Sequence, residues 1–172
     1  MLNNWYVIQV RSGKETLIVE TCSKMISSDI LKECFIPRYV RMKKIRGTWK
    51  RENDILFKGY VFMITDRIED LFQELKKIPD LTKVLSNDGE EIYPLREEEV
   101  LFLMRFGKED KIVEMSYGYI EGDTITITNG PLIGQEGIIK KIDRHKRIAY
   151  IEVTMFDQVT QAKVGLEIIS KK

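Results

Sequence analysis

Glu121 to Val153 reads EGDTITITNGPLIGQEGIIKKIDRHKRIAYIEV. Ile125 and Ile127 alternate with Thr124, Thr126 and Thr128, the two-residue period of a strand with one buried face. Gly130-Pro131 breaks the run, and Gly134 and Gly137 follow at short spacing. Two further alternating segments, Gly137 to Ile142 and Ile148 to Val153, flank the tip Asp143-Arg144-His145-Lys146-Arg147. Short strands punctuated by glycine within about 50 residues predict a small closed β-barrel.

The order Gly122-Asp123, a strand, then Gly130-Pro131-Leu132-x-Gly134-x-x-Gly137 closely resembles a KOW motif. That motif opens the SH3-like barrels of NusG-type transcription factors and of some ribosomal proteins. The plainer alternative is a small barrel with no nucleic-acid role.

The rest of the chain sets the bounds. Its 172 residues allow one domain or two small ones, and 43% apolar with 32% charged residues is ordinary for a soluble globular protein. The net charge of +1 says little, because 28 basic and 27 acidic side chains nearly cancel. Met1-Leu2-Asn3-Asn4 has neither the basic nor the apolar region of a signal peptide. No apolar run approaches the roughly 20 residues of a membrane span. Cys22 and Cys34 make no disulfide framework or metal pattern and read as buried reduced thiols. The expectation is a cytoplasmic protein without a membrane partner.

Trp5 to Arg11 is a β-rich run, apolar on both faces as in a central strand. Ser12 and Glu15 stand at capping-box spacing, and Leu17, Ile18, Cys22, Met25 and Ile26 share a helical face. Cys34 to Met42 reads as a strand with Pro37 at an edge or bulge, and Ile45-Arg46-Gly47-Thr48 as a hairpin turn. Trp49 to Asn53 returns and leads into the apolar strand Phe57 to Ile64. Asp66, with Glu69 three residues on, caps a second helix that ends at Pro79. Leu81 to Leu85 reads as a short strand and Asn87-Asp88-Gly89 as a turn. A third helix starts after Pro94-Leu95, with Glu97, Glu98 and Glu99 in its first turn, and ends near Gly107. The pattern is α+β. Lys108 to Glu121 has no clear period and reads as a linker, although Ile112, Val113, Met115, Tyr117 and Tyr119 could pack.

The N-terminal half adds a second resemblance. Trp5-Tyr6-Val7-Ile8-Gln9-Val10, then Ser12-Gly13-x-Glu15, resembles the opening of the NusG N-terminal (NGN) domain. Phe57-Lys58-Gly59-Tyr60-Val61-Phe62 is similar to that domain's Phe-Pro-Gly-Tyr-Val signature, with Lys58 in place of proline. Ile78-Pro79 before Leu81-Thr82, and Pro94-Leu95 before three glutamates, match its later landmarks. The resemblance implies an NGN domain at 1–107 with an antiparallel sheet and helices. A linker at 108–121 and an SH3-like KOW barrel at 122–172 complete it.

It also implies a factor that rides on elongating RNA polymerase, docked on the clamp helices of the largest subunit through Trp5, Gln9, Arg11, Tyr60 and Phe62. Core packing is the competing explanation for those aromatics. No covalent chemistry belongs to that task, and the residues show no nucleophile elbow, phosphate-binding loop, metal set or cofactor motif. His145, the single histidine, has only Asp143 as a nearby acid. A KOW-containing ribosomal protein is excluded by the N-terminal half. Met155 to Ala162 departs from the family pattern, with Asp157, Gln158 and Gln161 in place of glycine, arginine and proline. The resemblance assigns that segment to contacts with a ribosomal protein or the termination factor Rho. The departures point to a specialised, monomeric paralog of the RfaH or LoaP kind that suppresses termination on selected operons. The alternative is a general elongation factor that keeps those contacts.

Two basic clusters remain. Arg38, Arg41, Lys43, Lys44, Arg46, Lys50 and Arg51 occur between Cys34 and Arg51 with no acid among them. Lys43, Lys44, Arg46, Lys50 and Arg51 are expected to touch upstream DNA through phosphates. A basic edge that blocks strand-to-strand aggregation is the other reading. Lys140, Lys141, Arg144, His145, Lys146 and Arg147, with Lys163 approaching from a later strand, are expected to bind a nascent RNA hairpin. Ordinary turn charges are the alternative there.

Overall fold

The apolar N-terminal run forms β1 (Trp5–Gln9), which lies between β5 (Tyr60–Ile64) and the short β6 (Tyr93–Pro94) and pairs antiparallel with both. The computed structural model describes residues 4–78 and 92–169. The expected helix end at Pro79, the strand Leu81 to Leu85 and the turn Asn87-Asp88-Gly89 lie outside the described residues. The chain divides into two compact units, Met1–Ile36 with Phe57–Leu101, and Pro37–Leu56 with Phe102–Lys172.

In the first unit β2 (Glu33–Phe35) is the edge strand of the order β2-β5-β1-β6. The register puts Trp5, Val7 and Gln9 beside Ile64, Phe62 and Tyr60 on one face, and Tyr6 and Ile8 beside Met63 and Val61 on the other. The second face packs on α1 (Glu15–Met25) and α2 (Ile68–Lys76), where Ile8, Ile18, Cys22, Val61, Met63, Leu71 and Leu75 form one core. Each large apolar side chain buried this way stabilises by about 1.5–3 kcal/mol. Phe35 bridges the opposite face, edge-on to Trp5 at 5.4 Å and stacked on Phe62 at 5.6 Å. Cys22 is buried and Cys34 partly so, and the two free thiols hydrogen-bond each other.

Neither expected helix cap forms. Glu15 is buried at 1% exposure, and its carboxylate accepts the backbone N–H of Gly13 at 2.8 Å and of Gly59 at 2.7 Å. It ties the start of α1 to the loop before β5 instead of closing a box with Ser12. Gly59 has φ +86, and a Cβ there would sit 3.3 Å from the Val10 carbonyl oxygen, which explains the glycine in Phe57 to Phe62. Asp66 pairs with Lys32 and accepts from Asn4 at 3.0 Å, while the Thr65 hydroxyl takes the Arg67 N–H. The third helix carries its three glutamates in the first turn as expected, and one of them also reaches back. Glu99, buried in α3 (Glu97–Gly107), accepts the Arg96 N–H at 2.7 Å.

The expected strand Cys34 to Met42 is split at Pro37, which has no N–H to give a ladder. β2 ends at Phe35, and β3 (Arg38–Ile45) begins a different sheet. β3 pairs with β4 (Thr48–Ile55) through a two-residue turn in which Arg46 (φ 52) and Gly47 (φ 81) are both left-handed. On its other side β3 pairs in parallel with β7 (Ile112–Val113).

The stretch read as a linker is largely strand. β7 is followed by β8 (Ser116–Glu121), which pairs antiparallel with β9 (Thr124–Asn129) and in parallel with β12 (Gln158–Ile168). Its inward positions are Ser116 and Gly118, so hydropathy carries no period there. Ser116 accepts the Leu132 N–H at 3.1 Å, and a Cβ on Gly118 would lie 2.4 Å from the Thr126 carbonyl oxygen. β10 (Ile139–Asp143) and β11 (Ile148–Met155) complete the order β10-β11-β12-β8-β9. Ile127, Leu132, Ile148, Ile151, Met155, Val164 and Leu166 are buried.

The sequence predicts a closed barrel. Among the described residues no strand pair joins β9 to β10. The 3-10 turn Glu136–Ile138 lies between them in the chain, and Glu136 accepts the Ile127 N–H of β9 at 3.0 Å. The units also divide the chain differently from a 1–107 domain. Pro37–Leu56, the β3–β4 hairpin, groups with the C-terminal sheet. One reason is close approach: a Cβ on Gly165 of β12 would meet the Val40 carbonyl oxygen of β3 at 2.4 Å.

Candidate functional site

In the first unit the cross-strand register brings four of the five residues expected at a polymerase surface onto one face: Trp5, Gln9, Tyr60 and Phe62. Their exposure differs. Phe62 is fully buried and Trp5 nearly so, whereas Gln9 and Tyr60 are half-buried and Arg11 is exposed. The Gln9 side-chain amide donates to the Tyr60 hydroxyl at 3.3 Å, which holds the two as a polar rim on an aromatic layer. Phe62 belongs to the packing of that layer.

In the second unit the hairpin cations are partly neutralised by acids on the returning strand and beyond. Arg41 faces Asp54 at 3.7 Å, Lys43 faces Glu52 at 3.8 Å, and Arg51 pairs with Glu114. The Lys43 and Arg51 pairs are exposed and contribute about 0–1 kcal/mol each, so they trim the field of the hairpin more than they stabilise it, whereas the Arg41 side chain is only 14% exposed. Lys44 lies over the Trp49 ring at 5.9 Å, and Arg46 and Lys50 are exposed at the turn end. Burial, and then the nearby Asp54 carboxylate, push the Tyr39 hydroxyl up from its usual pKa.

The tip between β10 and β11 is held by Asp143, whose carboxylate accepts the Lys146 N–H at 3.0 Å. Arg144, His145 and Lys146 are exposed. Arg147 differs from them. It takes a left-handed φ of 57, packs over Trp49 at 3.9 Å, and donates to Glu167 at 3.3 Å. The tip and the hairpin therefore meet through an arginine–tryptophan stack. Lys141 and Lys163 both lie over Tyr150, at 5.5 Å and 5.7 Å from its centroid. Lys140 stands at a register shift between Ile139 and Lys141, its ammonium 3.5 Å from the Gly137 carbonyl oxygen.

Sequence reasoning missed Trp49, Tyr150, Glu114 and Glu167. Each acquires its role from a partner more than ten positions away, a relationship that local periodicity does not carry. Among the described residues no three His, Cys, Asp or Glu side chains gather into a metal set. No helix among them is long and apolar enough to cross a membrane.

Comparison with known proteins finds two family models that match successive parts of the chain. A family model described as "Transcription termination factor nusG" matches residues 3–104, and one described as "KOW motif" matches residues 121–154. A Borreliella burgdorferi protein named "Transcription termination/antitermination protein NusG" is 25% identical over 183 residues, covering 99% of this chain and all of that protein. Proteins of the same name from Rickettsia prowazekii (24% identical, covering 99% of this chain and 91% of that protein) and Campylobacter jejuni (20%, covering 94% and 93%) are also similar. A solved structure titled "Domain interaction in Thermotoga maritima NusG" superposes with a TM-score of 0.56 at 21% identity, covering 95% of this chain and 93% of that one. At that identity the likeness concerns the fold alone.

Proposed function

The chain belongs to the NusG family, whose members are transcription factors that bind RNA polymerase and are not enzymes, and on that premise we propose that it is a specialised paralog promoting antitermination on selected operons. In this reading the first unit docks on the clamp helices of the largest polymerase subunit. Helical ligands bind by burying a stripe of side chains, and the Tyr60–Gln9 rim with exposed Arg11 offers polar anchors around an aromatic layer. The C-terminal sheet is read as an SH3-like KOW barrel that contacts a nascent leader RNA. The β3–β4 hairpin touches upstream DNA through phosphates, and the protein works as a cytoplasmic monomer.

The observation that carries the RNA assignment is the gathering of basic side chains in one unit. Arg144, His145 and Lys146 are exposed on the tip, with Arg46 and Lys50 exposed on the hairpin that Arg147 joins to it. Phosphates take up such charge without regard to sequence, and an RNA hairpin adds unpaired bases to it. The test is binding of the full chain to its leader RNA at several salt concentrations, beside retention on immobilised RNA polymerase. Polymerase retention without RNA binding would leave a general elongation factor.

That second reading has its own support. The turn Phe156-Asp157 holds two non-glycine residues at φ 60, and Val159 next to it is 72% exposed. An exposed apolar tip of this kind suits a protein partner such as a ribosomal protein or Rho. Pull-down by the full chain, with Val159→Asp as the control, separates the two.

A further inference from the structure

We propose that Tyr150, with Lys141 and Lys163 on either side, forms a site for one unpaired nucleotide of single-stranded RNA: the base stacks on the tyrosine ring and its flanking phosphates meet the two lysines. The inference rests on the RNA-binding reading above and names where in the C-terminal sheet an unpaired base is held.

The sheet register builds the row. Lys141 of β10 is the cross-strand partner of Tyr150 of β11, and Tyr150 is the partner of Lys163 of β12. Directly opposed residues share a face, so the three side chains form a line about 10 Å long across two strand spacings. Tyr150 is half-buried and both lysines are exposed. Their ammonium groups lie 5.5 Å and 5.7 Å from the ring centroid, inside the range of about 6 Å at which a cation feels an aromatic face. Among the described residues neither lysine pairs with a carboxylate.

An exposed ammonium beside an aromatic ring at the surface is held weakly. A phosphate offers it a full opposite charge and a hydrogen-bond acceptor, and the long stem lets the lysine swing to reach one. That movement uncovers the ring face. Stacking on an aromatic residue in a cationic surface is how unpaired bases are bound without sequence selection. An A-form duplex keeps its base faces stacked inside and cannot use the ring. The direction of the strand follows from the next pair on the same face, Glu152 opposite Gln161, where a carboxylate repels the backbone. The RNA therefore crosses β10, β11 and β12 instead of running along them. The tip begins about 7 Å away, two residues beyond Lys141 and Tyr150 along their strands.

The experiment uses the full chain, a fluorescent decauridylate and a blunt ten-base-pair RNA duplex, each over a salt series. Tyr150→Leu should weaken decauridylate binding by about 5- to 150-fold while leaving its salt slope and duplex binding unchanged. Tyr150→Phe should bind like the parent protein. The double variant Lys141→Ala/Lys163→Ala should lower the log–log salt slope for decauridylate by about 1.4, two contacts at roughly 0.7 each. Independently of any variant, a 2-aminopurine placed in the oligonucleotide should be quenched on binding the unaltered protein, as a stacked base is. Unchanged decauridylate affinity in Tyr150→Leu, equal losses for both RNAs, or no quenching by the unaltered protein overturns the site. If Arg144→Ala/Lys146→Ala still reduces binding in that case, the RNA-binding reading survives without it. If the unaltered protein binds neither RNA at low salt, that reading fails and takes this one with it.

Discussion

Arg147 lies 3.9 Å from the centroid of the Trp49 ring, and its guanidinium also donates to Glu167 at 3.3 Å. A residue from the tip before β11 and one from the strand β4, almost a hundred positions apart, thus share one contact inside the second unit. A planar guanidinium both stacks and donates in its plane, whereas an ammonium is a point charge with no face to lay on the ring. The contact fastens the β3–β4 hairpin to the C-terminal sheet and removes Arg147 from the set of free cations.

Trp49→Ala should therefore lower the stability of the chain toward urea by about 1–2 kcal/mol, the range of a partly desolvated cation–π contact with its lost packing. Arg147→Lys should lose most of the same amount, and the double variant should lose less than the sum of the two singles. Strict additivity in that cycle would mean the stack contributes nothing.

A carboxylate inside the first unit supports a second prediction. Glu15 is buried and accepts two backbone N–H groups, from Gly13 and Gly59. Hydrogen bonds to a charged group are worth about 1.5–3 kcal/mol each, and both donors are orphaned when the acceptor goes. Glu15→Ala should cost about 2–4 kcal/mol of folding free energy, and Glu15→Gln less, since the amide oxygen still accepts. Denaturant midpoints of the three proteins check the order.

Much of the fold could be read from the chain, and the failures share a cause. β1, the β3–β4 turn, β9 and α3 follow from residues within a dozen positions of one another, where period and turn chemistry act. β8 carries no strand period in the sequence because its inward positions are Ser116 and Gly118, which pack closely without being apolar. Glu15 and Asp66 looked like helix caps by spacing, but distant partners, Gly59 and Lys32, took their carboxylates. The face shared by Trp5, Gln9, Tyr60 and Phe62 was legible as a set of residue types. Which of them is buried was not, because Phe62 is covered in part by Phe35 and Phe57, two residues that spacing alone does not bring to it.

Acid should act through Glu136. Hydrogen bonds from backbone amides, the Ile127 N–H first, hold its carboxyl below the usual carboxylate range. A folded pKa below the unfolded one means that ionised Glu136 stabilises the protein at every pH above about 4.3. That contribution disappears as pH falls through the lower, folded value. Glu136→Gln should therefore flatten the loss of stability as pH falls below about 4.3, and the two proteins should converge at the acid end. Parallel curves for the variant and its parent across that range would remove Glu136 from the acid response.

The polymerase surface can be divided into anchors and packing. Phe62 has no exposed surface, so Phe62→Ala should cost about 3–5 kcal/mol of stability by leaving a cavity. Any loss of polymerase retention in that variant is a loss of fold. Tyr60→Ala and Arg11→Ala start from half-buried and exposed positions and should lower the denaturant midpoint far less than Phe62→Ala. If Tyr60 is an anchor, its truncation should weaken retention on RNA polymerase by about fivefold or more. Full retention by a folded Tyr60→Ala/Arg11→Ala protein would place the docking surface on another face.

The tip allows the sharpest numerical test, because its cations are not equivalent. Arg144 and Lys146 are exposed, and Arg147 is committed to Trp49 and Glu167. Each lysine or arginine that neutralises a phosphate contributes roughly 0.7–0.9 to the log–log slope of affinity against salt. Arg144→Ala and Lys146→Ala should each lower that slope for leader RNA by about this amount. Arg147→Ala should change it by much less, while lowering stability as its Trp49 partner does. Isothermal titrations at four salt concentrations, with urea midpoints for every variant, supply both readings. Equal slopes for Arg144→Ala and the unaltered protein would remove the tip from the RNA interface. A full-sized drop for Arg147→Ala would show that RNA draws the guanidinium off Trp49 and frees the hairpin on binding.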